Sequence, residues 1–171
     1  MCPVREIVSL SSVEPEQFKA TMRRIASTVT VVTSKSGPAM NGMTATAVCS
    51  VSATPPCILV VVNQTNRSHA LIEDAGIFAV NVLSEEQEFL AQHFAQKSDD
   101  PFVDVGYRCG MTGAPILSGC VASLECVVES QTRSGTHSIF VGRVVSAAER
   151  DQRPLLHTNS RFVRLERSRL L

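Results

Sequence analysis

Residues 41–63 read NGMTATAVCSVSATPPCILVVVN, and the reading of this stretch decides the fold. Two β-type runs meet at the Pro55-Pro56 corner, and the first is polar where a core strand would be apolar. Side chains alternate faces along a strand, so Thr44, Thr46, Ser50 and Ser52 would line one side and Ala45, Ala47, Cys49 and Val51 the other. Neither row holds a large residue. A sheet surface of Ala, Thr and Ser lets a flat, polar-edged ligand approach the backbone, whose N–H and C=O groups beyond the ladder can pair with it. The same composition also suits the solvent face of an ordinary strand, and the pattern alone leaves both readings open. The second run, 57–62, is continuously apolar and too short for a good helix, which predicts a buried strand ending at Asn63.

Length and charge bound the rest. A chain of 171 residues, 44% hydrophobic and 19% charged, suffices for one domain with a real core, expected here over 1–171 with its elements between about 14 and 166. Sixteen basic residues balance sixteen acidic ones, which argues against a nucleic-acid partner, and no apolar run approaches the roughly 20 residues of a membrane span. The six cysteines contain no C-x-x-C pair and four lie in apolar or β-branched runs, so no metal is expected and the thiols fit a reducing, cytoplasmic compartment. No basic segment followed by an apolar one opens the chain, so no secretory signal is expected.

Around the central stretch the periodicities predict a helix over 14–25 with Phe18, Met22 and Ile25 toward the barrel end. A β-branched strand, TVTVVT at 28–33, follows and turns through SGPAMNG into the central stretch. A short helix is expected from about Ser68, with Ala70, Leu71 and Ile72 inward and Gly76 as its stop. Its N-terminus beside Arg67 and the Ser68 hydroxyl could hold a single phosphate, or Ser68 or Asn66 could simply cap the helix. After a strand at 77–83, Ser84 and Gln87 read as a capping box before a helix carrying Phe89, Leu90, His93 and Phe94 on one side. Residues 97–119 read as irregular loop, and 120–132 and 137–149 as a hairpin turning at RSGT, with Val141, Val144 and Val145 in the core. A last short strand, FVRL, closes the chain. Six or seven strands with hairpin connections and a few short peripheral helices predict a mainly antiparallel, mainly β barrel.

The segments GMTATAVCSVSATPP, ILVVVNQTNRSHALI, IFAVNVL, GAPILSGCVASLEC, GTHSIFVGRV and the late PLL, in this order, resemble the flavin reductase-like family. The resemblance runs from Phe18 to Leu165 and implies an FMN-binding split barrel with Greek-key-like connections. It implies a homodimeric NAD(P)H-dependent enzyme that reduces FMN or FAD with NADH or NADPH and supplies a partner monooxygenase. Matched motifs would place Thr44, Ala45, Thr46 and Ala47 along the isoalloxazine edge, Ser50 and Asn63 facing the flavin, and Arg67 and Ser68 at the ribityl phosphate. Phe94 would lie beside the ring system and His137 near the nicotinamide, where it orients without covalent chemistry. Thr136 replaces the acidic residue common before that histidine, and His157 stands where many relatives have tyrosine. Three other readings remain: a non-catalytic flavin-binding module, a flavoprotein reductase of another acceptor such as a corrin or a ferric chelate, and a barrel that has lost its ligand and serves only as an interaction domain. The absence of G-x-G-x-x-G indicates that the nicotinamide nucleotide is not held by a Rossmann fold.

Overall fold

The computed structural model describes residues 11–165. Their elements are α1 (Pro15–Met22), β1 (Ser27–Thr28), β2 (Thr30–Ser36), β3 (Ala39–Ala45), β4 (Val48–Ala53), β5 (Pro56–Asn63), α2 (Arg67–Ala75) and β6 (Ile77–Val82). There follow α3 (Glu88–His93), β7 (Tyr107–Cys109), β8 (Pro115–Leu117), β9 (Ala122–Ser134), β10 (His137–Glu149), β11 (Leu156–Thr158) and β12 (Arg161–Val163). Seven strands make one antiparallel sheet in the order β3-β2-β6-β9-β10-β5-β4. Only β2–β3, β4–β5 and β9–β10 are neighbours in both chain and sheet. The connection from β5 to β6 instead passes over β10 and β9, as in a Greek key.

The sheet curls because one apolar cluster draws on its whole width. Val32, Met43, Val60, Phe78, Cys126 and Phe140 come from six different strands, and Val48 of β4 packs against them. Burying that surface on one side bends the sheet into a barrel, yet the edge strands β3 and β4 do not pair with each other. The barrel is therefore split, as expected, and residues 46–47 carry the chain across the split. Helix α2 closes one end with Ile72 in the same core, and ends at Gly76 in the left-handed conformation (φ 65°) that glycine tolerates. Its buried face is Ser68, His69, Leu71 and Ile72; Ala70, expected inward, is exposed because it lies on the other side of the turn.

The β-branched run of β2 serves two cores. Val32 points into the barrel, whereas Val31 points outward to a second cluster with Leu83, Leu90, Phe94, Phe102, Leu117 and Leu155. A strand covered on both faces has no polar row. Residues 97–119, read as loop, provide much of that cover: Pro101 and Phe102 are buried, and β7 and β8 form a small hairpin. The capping box before α3 is half made, with Ser84 N–H donating to Gln87 Oε1 (3.1 Å), but the helix starts only at Glu88 and leaves Phe89 exposed.

Two other expectations fail. Helix α1 forms, but it buries no residue: Phe18, Met22 and Ile25 stay exposed and cover no barrel end among the described residues. In β10 the core position is Phe140, fully buried; of the three valines named, Val144 packs on the barrel core, while Val141 and Val145 fall on the opposite parity and are half-buried. Among the described residues no helix is long and apolar enough to cross a membrane.

The buried Glu125 on β9 fastens the turn between β7 and β8. Its Oε2 accepts from Thr112 N–H (2.8 Å) and Thr112 Oγ1 (3.0 Å), and Gly110 lies so close that any Cβ there would meet the carboxylate. Burial pushes this carboxyl up, but hydrogen bonds from Thr112, Met111 and Ser146 together outweigh burial and hold it below its ordinary value. A carboxylate with a depressed folded pKa stabilises above its unfolded value and loses that contribution as pH falls through the folded one. Glu125→Gln should therefore cost about 1–3 kcal/mol at neutral pH. In urea melts across pH, the gap to wild type should close in acid below the ordinary value of 4.5; a gap independent of pH would contradict this.

Candidate functional site

The split barrel sets the site, because the segment that crosses the split leaves backbone groups outside any ladder. Residues 44–47 do not form one strand with two clean faces. Ala45 is the last residue of β3, opposite Thr30, and β4 begins at Val48 opposite Val60. The Thr44 hydroxyl donates inward to Ala91 O (2.7 Å) and Thr44 N–H to Phe94 O (3.1 Å), so neither reaches the surface. Ala45 O accepts from Thr30 Oγ1 (2.7 Å) and Ala47 O from Val61 N–H (3.1 Å). Thr46 and Ala47 are exposed, and no hydrogen bond within the described residues engages Thr46 or the Ala47 N–H. The parity read from sequence thus breaks at residue 46.

Ser50 is exposed on β4, at the edge of the sheet. Asn63 lies opposite His137 in the pairing of β5 with β10, so these distant positions are adjacent. The Asn63 carboxamide is committed to its own turn, its Oδ1 accepting from Thr65 N–H and Thr65 Oγ1, each at 2.9 Å. The half-buried His137 has Nδ1 within 2.9 Å of Thr136 Oγ1, while its carbonyl accepts from Gln64 Nε2 (3.0 Å).

At the start of α2 the cap is Asn66, whose Oδ1 accepts from Ser68 N–H (2.9 Å). Ser68 is fully buried and its Oγ accepts from Asn41 Nδ2 (2.8 Å), so this hydroxyl ties the helix to β3 rather than facing solvent. Arg67 is exposed and its Nη1 donates to Asp99 O (3.3 Å). The Phe94 ring is only 3% exposed and packs so tightly on β3 that a Cβ at Gly42 would come within 2.6 Å of it. Phe94 is a wall of the site, not a ring lying open in it.

Two recesses gather these residues. One of about 580 Å³ opens at the end of the barrel away from α2 and is lined by Thr30, Thr46, Val48, Ser50 and Leu124 among others. The other, of about 510 Å³, is lined by Asn41, Gly42, Asn66, Arg67, Phe94 and Lys97 among others. Residues 42–46 of the chain join them; Asn63 and His137 line neither. Asn41 and Lys97 went unnoticed in the sequence: Asn41 reads as a turn residue, and Lys97 is the single base in an acidic stretch. Burial pushes the thiol of Cys126 up to about 12 and that of Cys120 up to about 11, so neither supplies a thiolate. Among the described residues no three His, Cys, Asp or Glu side chains are grouped to hold a metal ion.

Residues 22–166 match the flavin reductase like domain. The chain is 37% identical over 160 residues to the reductase component of a 4-nitrophenol 4-monooxygenase/4-nitrocatechol 2-monooxygenase from Rhodococcus opacus, covering 94% of this chain and 85% of the relative. It is 32% identical over 160 residues to the reductase subunit HsaB of a flavin-dependent monooxygenase from Rhodococcus jostii (strain RHA1), covering 93% and 82%. An NADH:FAD oxidoreductase of Streptomyces globisporus C-1027, solved with NAD and FAD fragments, superposes with a TM-score of 0.87 at 34% identity, covering 94% of this chain and 99% of that one.

The geometry separates Ser68 from its neighbour. Ser68→Ala strips a buried amide of its acceptor and should lower stability by about 1–3 kcal/mol, whereas Arg67→Ala should stay within about 0.5 kcal/mol of wild type. Urea unfolding of both variants checks this; equal losses would contradict the assignment of Ser68 as a buried tie.

Proposed function

The chain belongs to the flavin reductase-like family, and on that premise we propose that it passes a hydride from NADH or NADPH to FMN or FAD and hands the reduced flavin to a partner monooxygenase. The observation that carries this reading is the crossing at residues 46–47, where small side chains and unengaged backbone groups stand exposed between two recesses. Such a surface fits a flavin: Thr46 and the Ala47 N–H offer hydrogen bonds to the polar rim of an isoalloxazine with little bulk in the way, and Ser50 extends the row. At roughly 3.3 Å per residue, β3 spans about 10 Å from Gly42 to Ala45, next to the crossing. That separates a ring at the crossing from a phosphate at Arg67, where the cation and the N-terminus of α2 together favour an anion. Ser68 supports this end from behind.

A flavin held by Thr46, the Ala47 N–H and Arg67 would supply the hydride-accepting chemistry, which would need neither a protein nucleophile nor a metal. The chain's own residues must orient and exclude water. His137 at the start of β10 stands opposite Asn63 and orients the nicotinamide, Phe94 and Gly42 hold β3 rigid, and Thr46 fixes the ring edge. Correct placement of the reacting atoms contributes several kcal/mol to lowering the barrier, more than any single acid or base would here. The relatives whose names identify them as monooxygenase reductase components support the hand-over of reduced flavin. A cytoplasmic setting suits free thiols, of which Cys57, Cys120 and Cys126 are buried and Cys49 and Cys109 exposed.

The site is completed by a second copy in this reading. Leu59, Val61, Ile139 and Val141 form a half-buried apolar row on the outer face of β5 and β10, while Val51 and the α1 side chains Phe18 and Met22 are exposed. A C2 dimer would bury such surface on both copies at once.

Four outcomes test the reading. The purified protein should consume NADH or NADPH only when FMN or FAD is added; flavin binding without consumption would leave a binding module instead. Arg67→Glu should raise the flavin Kd about tenfold or more, roughly 1.4 kcal/mol, with the unfolding midpoint unchanged, whereas His137→Ala should slow anaerobic stopped-flow reduction by NAD(P)H and spare flavin affinity. Sedimentation at micromolar concentration should give a dimer; a monomer that binds flavin normally would overturn the shared site.

A further inference from the structure

We propose that His69 is a positioning residue that couples the phosphate end of the site to the nicotinamide end, an inference that rests on the flavin reductase reading. His69 is the third residue of α2, 5% exposed, and its Nε2 lies 2.8 Å from the hydroxyl of Ser138, which is fully buried in β10. Each partner adjoins a residue the reaction uses: His69 follows Arg67 by two, and Ser138 follows His137 by one. Successive strand residues point to opposite faces, so pinning Ser138 inward fixes the direction in which His137 projects outward.

Further contacts make this a joint rather than a lone bond. Gln64 N–H donates to Thr136 O (3.0 Å) and Gln64 Nε2 to His137 O (3.0 Å), so the loop before α2 holds the strand on the other side of His137. Ser68, beside His69, is tied to Asn41 of β3. The groups that face His69 are Glu73, with Oε2 3.9 Å from Nδ1, Gln131, whose Nε2 reaches Glu73 Oε1 (3.1 Å) and Ser138 Oγ (3.5 Å), and the Phe140 ring, 5.2 Å between centroids. Arg133 Nη2 sits 3.7 Å from Glu73 Oε1 at the rim. The carboxylate beside Nδ1 favours the proton there, which leaves Nε2 to accept from the Ser138 hydroxyl.

A buried polar pair is a costly way to fill space that two apolar side chains could fill, but only a directional bond sets one rotational position of α2 against β10. Full burial removes Ser138 from any role as a nucleophile despite the Ser-His-Glu arrangement. Through His69, the turn that carries Arg67 and the strand that begins with His137 move together, so loss of the bond should disturb both ends at once.

The test compares His69→Leu, His69→Gln and Ser138→Ala in the full chain with FMN and NADH. Glutamine places its amide near the position of Nε2 and restores a bond to Ser138, whereas leucine fills the space without one. In folded His69→Leu and in Ser138→Ala, the flavin Kd should rise at least fivefold and the reduction rate at saturating NADH should fall at least fivefold; His69→Gln should recover most of both, and the double variant His69→Leu/Ser138→Ala should be no worse than either single one. Should His69→Leu not fold, Ser138→Ala against its own wild type carries the comparison. Loss of only one constant, or a lowered unfolding midpoint with both constants unchanged, or no recovery in His69→Gln, would overturn the coupling. A wild type inactive with every flavin would overturn the functional reading itself, which distinguishes the two failures.

Discussion

An open sheet leaves two rows of backbone donors and acceptors without ladder partners, and the rest of this structure follows from how those two edges are managed. The barrel core draws β3 and β4 round toward each other without pairing them. The β3 edge is partly satisfied from outside, where Phe94 O takes Thr44 N–H. In the crossing segment Thr46 and the Ala47 N–H have no hydrogen-bond partner among the described residues, and the side chains there are too small to cover those groups. A ligand with donors and acceptors around a flat edge can meet those groups in a way that another strand of this chain does not.

Placing that crossing requires two cores on either side of one strand. Val31 and Val32 of β2 face opposite clusters, and the outer cluster reaches β3 through Phe94 against Gly42. Helix α3 therefore does structural work from behind: its Ala91 carbonyl takes the Thr44 hydroxyl, and Phe94 at its end leaves no room for a side chain on Gly42. At the other end, α2 is fixed by Asn66, Asn41 and Ser138, so that Arg67 and Ala70 are the residues of its first turn left facing outward, and Arg67 alone of the two carries charge. The reductase thus keeps its exposed polar groups at the crossing and its cation at a helix start, with buried hydrogen bonds holding both.

Much of this was legible from the residues. The continuous β-branched run at β2, the apolar run at β5, the long hairpin of β9 and β10 and the Gly76 stop all follow from local chemistry, and hairpin connections favour an antiparallel barrel. What the sequence did not disclose was direction. Ser68 and Arg67 both suit an anion site, but only the position of Asn41 across the sheet shows that Ser68 turns inward. Phe140 went unnoticed beside three valines because strand parity could not be assigned without its partners, and register shifts between Val141/Gly142 and Val144/Ser146 disturb it further. The periodicity of α1 shows an apolar stripe but cannot say which molecule lies against it, and among the described residues that stripe stays exposed.

The claim on which the account rests is that flavin lies along the crossing between the two sheet edges. Backbone amide shifts of the isotopically labelled protein, followed during titration with FMN, test it most directly. The largest changes are expected at Thr46 and Ala47, with a second group at Asn66 and Arg67, the proposed phosphate site. Saturable binding that left the Thr46 and Ala47 amides unmoved, and shifted residues elsewhere on the barrel, would contradict it.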